Sequence, residues 1–216
     1  MTDRVDWNAY LSTRKAGSYT DRNLIAPYLA SPLLDVGCSY GVFAEYCVRE
    51  LGLDVKGVDP SSTAIGEAAR LLPEGDFRTG VAESLPYPDG TFQTVVSIEV
   101  VKHLLRPELF FSEAFRVLRP GGRLIVQTPN YPIKRVYDFF FWAFGKKDAL
   151  QDDPTHVFPF SFGKMRSFSR KAGFRVTKLA GRNVAFEMKF PLLSKLKKGP
   201  FASVFSQKMI LIAEKT

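Results

Sequence analysis

Short apolar stretches rich in β-branched residues recur along the chain, and amphipathic stretches with helical spacing separate most of them. Apolar stretches of this length, bounded by Gly, Pro or Asp, are typical of buried strands. We predict seven strands, over residues 32–36, 54–59, 76–80, 94–99, 122–129, 173–179 and 208–214. Helices are predicted over residues 41–51, 62–72, 107–118 and 161–174. Strand and helix therefore alternate over most of the chain.

This alternation defines the predicted fold class. Strands that are apolar throughout and separated by helices form parallel sheets that are covered on both faces. The chain is therefore predicted to be an α/β protein with a doubly wound, Rossmann-like, mostly parallel seven-stranded sheet and helices on both faces. Residues 208–214 follow an irregular stretch and have no room for a crossover helix after them, so this last strand is expected to be antiparallel.

The length and composition indicate one domain. The 216 residues, 45% of them hydrophobic, are enough to bury a sizeable core. We expect a single domain over residues 1–216, with an N-terminal helical segment at 1–30 and substrate-side lids or insertions at 130–160 and 181–205. The first residues lack the apolar region of a secretion signal, and no apolar stretch is long enough to span a membrane. We therefore expect a cytoplasmic location, with peripheral attachment to the inner face of a membrane as an option.

The formal net charge of +8 is unevenly placed. Residues 161–216 contain 13 Lys or Arg and two acidic residues, so the last quarter of the chain makes the protein basic. Such an asymmetry fits an anionic membrane surface, a nucleic acid or an acidic substrate, and it also fits a role in solubility alone.

The stretch LDVGCSYG, residues 34–41, supports two interpretations. GCSYG fits the G-x-S-x-G pattern of a hydrolase nucleophile elbow, with Ser39 as the nucleophile. The same stretch fits a strand that ends in a glycine turn for a nucleotide cofactor. A nucleophile elbow lies deep in its sheet, after several strands, whereas only about 30 residues precede this one. The second interpretation, with Ser39 as a turn residue, is therefore favoured.

Asp59 supports the cofactor interpretation. It ends the second predicted strand, 18 residues after Gly41. A carboxylate at that place can accept hydrogen bonds from both hydroxyls of a ribose. Asp59 and the glycine turn together make a stronger case for a nucleotide cofactor than the glycines alone.

Four longer motifs have the order and spacing of one known family: LLDVGCSYGVFA, GVDPS, GVAESLPYPDGTFQTVVSIEVVKHL and FSEAFRVLRPGGRLIVQTPN. On these motifs the chain resembles the class I S-adenosylmethionine-dependent methyltransferases, in the broad group that includes small-molecule and quinone-precursor enzymes. The resemblance covers roughly residues 30–180 and the last strand. It implies S-adenosyl-L-methionine as the cofactor and a small molecule as the methyl acceptor, with oxygen as the favoured acceptor atom.

The resemblance also assigns cofactor-binding roles to residues that follow the first four strands: Asp35, Gly37, Gly41, Asp59, Pro60, Ser61, Ala82, Glu83, Ser97 and Glu99. Asp35 and the two glycines would form the cofactor loop, with the carboxylate facing the methionine end. Asp59 would bind the ribose diol, and the two residues after it would flank the adenine. Ala82 and Glu83 would lie near the adenine amino group, and residues 97–99 would close the site.

The chain departs from the family pattern at several positions. Ser39 stands where a glycine is common, and Val81 where an Asp often meets the adenine. Some quinone-pathway relatives hold a divalent cation with a Glu, Glu, His set, which corresponds to Glu99, Lys102 and His103 here. An ammonium group among the ligands repels a cation that prefers oxygen donors. We therefore predict that no metal is bound.

The chemistry implied by the resemblance needs little from the protein. A sulfonium methyl group is already activated, so the enzyme mainly holds donor and acceptor in line. An oxygen acceptor also benefits from a base that removes its proton. His156, in the loop DDPTHVFPFS, resembles a THxxxFS element at the family's active-site mouth and is the candidate catalytic residue, with a structural loop role as the alternative. Asp152, Asp153 and Tyr131 are weaker candidates.

Two apolar segments bear on the acceptor. Residues 136–145 are dense in aromatic side chains, and residues 188–205 mix apolar residues with three lysines. They fit a core or lid helix and a solvated insertion, and they also fit a surface that rests on anionic lipid. In the second case the acceptor would be a lipid, a quinone precursor or a lipid-linked glycan.

Three alternative functions follow from the same residues. An NAD(P)-dependent oxidoreductase would share the glycine turn and Asp59, but GCSYGVFA lacks the third glycine of its fingerprint. A non-catalytic S-adenosylmethionine-binding protein would share the whole scaffold. Methylation of a nucleic acid is disfavoured because IEVV stands where a PPY-type tetrapeptide would follow the fourth strand.

Overall fold

The computed structural model describes Asp6 and residues 22–143, 145, 155–182 and 208–216. Most of the predicted N-terminal segment lies outside the described residues. The same holds for residues 146–154 and 183–205 of the two predicted lids.

Seven strands form one sheet. They are β1 Leu33–Val36, β2 Val55–Asp59, β3 Asp76–Thr79, β4 Phe92–Ile98, β5 Leu118–Pro129, β6 Phe174–Arg182 and β7 Lys208–Lys215. Their order across the sheet is β3-β2-β1-β4-β5-β7-β6. Strands β1 to β5 pair in parallel, whereas β7 is antiparallel to both β5 and β6. The predicted fold class and the antiparallel last strand are confirmed.

Helices cover both faces of this sheet. They are α1 Arg22–Ile25, α2 Val42–Arg49, α3 Ser62–Leu71, α4 Pro107–Val117, α5 Tyr131–Ala143 and α6 Phe162–Lys171. Short 3-10 turns occur at Ala26–Tyr28 and Val101–His103. Among the described helices, none combines the length and the apolar character needed to cross a bilayer.

Local sequence signals determine where the helices begin. The Ser61 hydroxyl accepts a hydrogen bond from the Ala64 N–H at 3.1 Å and caps α3. Ser161 caps α6 in the same way, through the Lys164 N–H at 3.3 Å. Pro107, whose missing N–H costs nothing at a helix start, opens α4. These are the helix starts expected from the sequence.

The core lies on both sides of the central strands because successive strand residues point to opposite faces. Val95 of β4 belongs to an apolar cluster that includes Phe110 of α4 and Met165 of α6. Its neighbour Val96 belongs to a second cluster, with Ala44 of α2 and Ile25 of α1. Burial on both faces fixes the register of the central strands and so places their carboxyl ends side by side.

Strand β5 differs from its predicted extent. It begins at Leu118, four residues earlier than expected, although RPGG at 119–122 is a breaker cluster. Leu118 pairs with Phe92, and the pairing then shifts so that Thr94 faces Arg123. The glycines therefore form an irregularity within the strand, with Gly121 in the left-handed region at φ 75°.

Candidate functional site

The residues predicted from the sequence meet at one edge of the sheet. Because β1, β2, β4 and β5 are parallel, their carboxyl ends lie together, and Val36 pairs with both Val58 and Ser97. The glycine turn follows β1, Asp59 ends β2, and Glu99 follows β4. Ligands of doubly wound sheets bind at this edge, where the strand order reverses beside β1.

The glycine turn is an extension of the β1–β2 pairing. The N–H groups of Gly37 and Cys38 both donate to the Val58 carbonyl, at 2.7 and 3.1 Å. Gly37 has φ 78°, and a Cβ on it would lie 2.2 Å from Val100 Cγ2. Only glycine fits here, because a side chain would both strain the backbone and overlap Val100.

Gly41 ends the turn and starts α2. Its φ is 77°, and a Cβ would lie 3.0 Å from the Cβ of Ala68 in α3. The missing side chain therefore lets α2 begin close against α3 at the sheet edge. N–H groups at the start of α2 have no partner within the helix, which suits a polar or anionic ligand group.

Asp59 is the best-defined polar group of the site. Its Oδ2 accepts the Ser39 N–H at 2.9 Å, and its Oδ1 accepts the Ser61 N–H at 2.9 Å. Burial raises the pKa of this carboxyl, and the two backbone hydrogen bonds oppose the rise. Each carboxylate oxygen can accept a further hydrogen bond, so the geometry fits a ribose diol.

Ser39 serves the turn through its backbone. Its N–H is bonded to Asp59, and its φ of 50° lies in the left-handed region. The turn follows the first described strand, whereas a nucleophile elbow follows several strands of its sheet. The structure therefore favours the turn interpretation of Ser39 over the hydrolase elbow.

Asp35 is the next-to-last residue of strand β1 and is 3% exposed. Burial, with a smaller contribution from the charge of Asp59, raises the pKa of its carboxyl to about 7. A cationic ligand group nearby would favour the ionised form and lower this pKa. The site can therefore accept an ammonium group, such as that of a methionine end.

The segment after β3 is anchored to α4. Ala82 is buried in a turn closed by the Ser84 N–H and the Val81 carbonyl at 3.2 Å, and Glu83 is half-buried beside it. Arg116 of α4 donates to the carbonyls of residues 85 and 87 at 3.0 and 2.8 Å. Arg116 lies in the motif FSEAFRVLRPGGRLIVQTPN, but the motif alone does not reveal this anchoring role.

Glu99 is held in an uncommon conformation between two lysines. Its φ is 64°, and its N–H donates to the Gln127 carbonyl at 2.8 Å. Its Oε2 lies 2.8 Å from the Lys102 ammonium, and its Oε1 lies 3.1 Å from the Lys208 ammonium. Burial alone would raise the pKa of Glu99, but the two ammonium groups hold it below its ordinary value. A cofactor-binding role for Ser97 and Glu99 stays a prediction.

His156 lies against two other rings. Its ring centroid is 5.0 Å from that of His103 and 6.0 Å from that of Tyr131. His103 Nδ1 is 3.0 Å from the Thr155 carbonyl, which only accepts, so Nδ1 carries a proton and Nε2 of the neutral ring carries the lone pair. The catalytic role of His156 stays a prediction, and Asp152 and Asp153 lie outside the described residues.

Metal binding has little support in the described part of the chain. It contains no group of three or more His, Cys, Asp or Glu side chains arranged to hold a metal ion. The Lys102 ammonium lies 2.8 Å from one carboxylate oxygen of Glu99. The absence of a metal stays a prediction.

Comparisons with known proteins agree with this geometry. A family model described as a methyltransferase domain matches residues 34–126. A probable S-adenosylmethionine-dependent methyltransferase of Mycolicibacterium smegmatis is 30% identical over 149 residues, covering 69% of this chain and 54% of that protein. A ubiquinone biosynthesis O-methyltransferase of Mesorhizobium japonicum is 35% identical over 118 residues, covering 53% of this chain and 47% of that protein. The chain thus spans about half the length of these curated relatives.

A solved structure shows the same fold. The crystal structure of an S-adenosylmethionine-dependent methyltransferase from Archaeoglobus fulgidus superposes with a TM-score of 0.68. The match covers 90% of this chain and 91% of that one, at 21% sequence identity.

Replacement of Gly37 by Ala tests the glycine turn. We expect a loss of roughly 2–4 kcal/mol in the free energy of unfolding, from the left-handed backbone and the overlap with Val100. Gly52→Ala is the matched control, because Gly52 has φ 65° but open space around it, and should cost roughly 1–2 kcal/mol. Urea unfolding measures both. Equal losses, or no recovery in the double variant Gly37→Ala with Val100→Ala, would contradict the overlap.

The raised pKa of Asp35 predicts a pH-dependent stability. Because its pKa is about 7 in the folded protein and 3.8 for an unperturbed carboxyl, ionisation of Asp35 destabilises the fold as the pH rises between those values. Asp35→Asn should therefore have a free energy of unfolding roughly 2–4 kcal/mol larger than wild type at pH 8, and the difference should be much smaller at pH 5. Urea unfolding at the two pH values measures it. The exposed Asp54→Asn is the control. A constant difference between Asp35→Asn and wild type across this range would refute the assignment.

Proposed function

The chain belongs to the class I S-adenosylmethionine-dependent methyltransferases, and from this premise we propose that it methylates an oxygen atom of a small molecule. The observation that carries the proposal is the Asp59 carboxylate, held by two backbone N–H groups at the end of β2 beside the glycine turn. The lipid, quinone-precursor and lipid-linked glycan classes are the proposed acceptors. The names of relatives such as the ubiquinone biosynthesis O-methyltransferase support the quinone-precursor class first.

The residues at the sheet edge fit S-adenosylmethionine. Asp59 would accept hydrogen bonds from the ribose hydroxyls, and Pro60 and Ser61 would flank the adenine. Asp35 would face the ammonium of the methionine end, which favours its ionised form. Gly37 and Gly41 let the turn pass close to Val100 and Ala68, where a Cβ would collide. When bound, the cofactor supplies a methyl group on a sulfonium centre, which is already activated for transfer.

Ala82 and Glu83 would lie beside the adenine amino group. Their position depends on Arg116 and Glu113 of α4. Glu113 accepts a hydrogen bond from the Leu85 N–H at 2.7 Å. Arg116 donates hydrogen bonds to the carbonyls of residues 85 and 87. Anchoring at both backbone donor and acceptor groups keeps this segment in place before the cofactor arrives.

The protein must then orient the acceptor and remove its proton. Orientation in line with the sulfonium contributes most, up to roughly 7–11 kcal/mol of the barrier. His156 is proposed to take the proton of the acceptor hydroxyl as the oxygen–carbon bond forms, an effect of about 10²- to 10⁴-fold. Its placement against His103 and Tyr131, at the edge where β4 and β5 end, supports this role.

The NAD(P)-dependent alternative is not retained. The methyltransferase domain match spans the glycine turn, Asp59 and the motif after β3. A non-catalytic role on the same scaffold is left to experiment.

Peripheral attachment to an anionic bilayer is a second part of the proposal. Val136, Phe139 and Trp142 of α5 are 50%, 55% and 46% exposed and recur every third residue, so they share one side of the helix. Residues 161–182 carry seven Lys or Arg and no acidic residue. Exposed aromatic side chains combined with an excess of positive charge suit a surface of anionic headgroups. Such a surface would deliver an apolar acceptor.

Calorimetric titration tests the cofactor and the reaction together. We expect S-adenosylmethionine and its demethylated product to bind, NADH to be silent, and Asp59→Ala to lose binding by at least tenfold. His156→Gln should retain cofactor binding but transfer labelled methyl groups to a catechol-type quinone precursor about 10²-fold more slowly. Binding without transfer to any of the three proposed acceptor classes would favour the non-catalytic alternative. Methyl transfer at the wild-type rate by His156→Gln would show that His156 is not the base.

Vesicle sedimentation tests the membrane surface. The full chain should sediment with vesicles of phosphatidylglycerol and phosphatidylcholine, less so at high salt, and not with phosphatidylcholine alone. The double variant Phe139→Ser with Trp142→Ser should bind several-fold more weakly. Leu24→Ser is the matched control, since Leu24 is 43% exposed on α1. Salt-insensitive binding, or equal effects of the two variants, would rule out this surface.

A further inference from the structure

The 3-10 turn after β4 holds the segment that carries His156 through hydrogen bonds. The Lys102 carbonyl accepts a hydrogen bond from the Phe158 N–H at 3.0 Å. The His103 ring donates through Nδ1 to the Thr155 carbonyl, also at 3.0 Å. Thr155 directly precedes His156 and is buried. The turn therefore fixes the main chain on both sides of His156.

His103 also contacts the side chain of His156. The centroids of the two imidazole rings lie 5.0 Å apart, with an interplanar angle of 55°. The Tyr131 ring lies against His156 as well, with 6.0 Å between centroids and the ring planes nearly perpendicular. A side chain packed against its neighbours loses rotamer freedom. These contacts therefore hold the His156 ring in one orientation.

The orientation of a base determines how well it works. A general base must come within about 2.6–3.2 Å of the proton that it removes. A misplacement of about 1 Å can lower the rate of a reaction about 10²-fold. His103 contacts both the main chain before His156 and the His156 ring, so the loss of His103 would free this ring in two ways.

We propose that His103 is a positioning residue, which holds the His156 imidazole in the orientation that removes the proton of the methyl acceptor. This inference rests on the proposed function, because that function assigns the base role to His156. In this role His103 acts through His156 and not on the cofactor or the acceptor. Removal of His103 should therefore slow methyl transfer without weakening cofactor binding.

Three substitutions of His103 test its two contacts. His103→Asn keeps a donor near the place of Nδ1 and removes the ring, whereas His103→Phe keeps a ring and removes the donor. His103→Ala removes both and should lower kcat for the catechol-type acceptor about tenfold or more, with smaller losses in the other two variants. The KM for S-adenosylmethionine should stay within about twofold of wild type. Unchanged kcat in His103→Ala would overturn the proposal, as would a loss that lies in KM.

A double-mutant cycle tests whether His103 acts through His156. In the His156→Gln background the base is already absent, so His103→Ala should lower kcat further by less than about twofold. A loss as large as in the wild-type background would mean that His103 acts independently, which would overturn the proposal. His103→Asn and His103→Phe carry the test if His103→Ala does not fold.

Phe168→Leu is the matched control for a general loosening of the segment. Phe168 lies on α6, and its ring contacts those of Phe158 and Phe160, at 5.6 and 5.9 Å between centroids. This variant should lower the free energy of unfolding but keep kcat within about twofold of wild type. A fall in kcat as large as that of His103→Ala would assign the effect to packing alone and overturn the proposal.

Nuclear magnetic resonance measures the position of the ring without activity. The chain has two histidines, so protein labelled with ¹³C-histidine and carrying a His103 variant gives imidazole signals from His156 alone. In wild type, a nuclear Overhauser effect should connect the ring protons of His156 and Tyr131. It should be lost in His103→Ala and persist in Phe168→Leu. Its absence from wild type, or its persistence in His103→Ala, would overturn the proposal.

The same samples distinguish this inference from the proposed function. Slow transfer by His156→Gln together with wild-type transfer by His103→Ala disproves the positioning role and leaves the base standing. Wild-type transfer by His156→Gln disproves the base, and the nuclear Overhauser effect then decides whether His103 holds the ring. Wild-type protein that does not bind S-adenosylmethionine in a calorimetric titration disproves the proposed function itself.

Discussion

The parallel pairing of β1 with β2 and β4 is the constraint on which the site depends. It places Val36, the last residue of β1, between Val58 and Ser97, so that the carboxyl ends of three strands lie side by side at one edge of the sheet. The pairing continues past the strand, because Gly37 and Cys38 both donate to the Val58 carbonyl. The Asp59 carboxylate accepts hydrogen bonds from the N–H groups of Ser39 and Ser61. The turn and the carboxylate therefore position each other, and neither would keep its geometry without the sheet.

Charge is divided between the two halves of this edge. On the β1–β2 side, the buried carboxyls of Asp35 and Asp59 have raised pKa values and suit a cofactor that brings a cation and hydroxyl donors. On the β4–β7 side, the Glu99 carboxylate lies between the Lys102 and Lys208 ammonium groups, which hold its pKa below its ordinary value. The carboxyl pKa values on the two sides are therefore shifted in opposite directions, by burial on one side and by ammonium groups on the other.

The sequence predicts the strands, the helix starts and the glycine turn well, because each depends on nearby residues. The helices over 62–71, 107–117 and 162–171 begin within one residue of their predicted starts, and Asp59 ends β2 as expected. The early start of β5 and the ion pair of Glu99 with Lys208 are harder to predict from the sequence, since both depend on pairing between distant strands. Lys208 is more than one hundred residues from Glu99, and only the antiparallel register of β7 brings it near. The anchoring role of Arg116 is hidden for the same reason.

The segment of residues 155–160 is attached through several main-chain hydrogen bonds and through the fully buried Phe160, whose ring contacts those of Phe158 and Phe168. The Tyr131 N–H donates to the Phe160 carbonyl, the Phe158 N–H donates to the Lys102 carbonyl, and the His103 ring bonds to the Thr155 carbonyl. Such attachments are indifferent to which side chains the segment carries. Side chains at exposed positions such as Val157 can therefore change while the path of the segment stays the same.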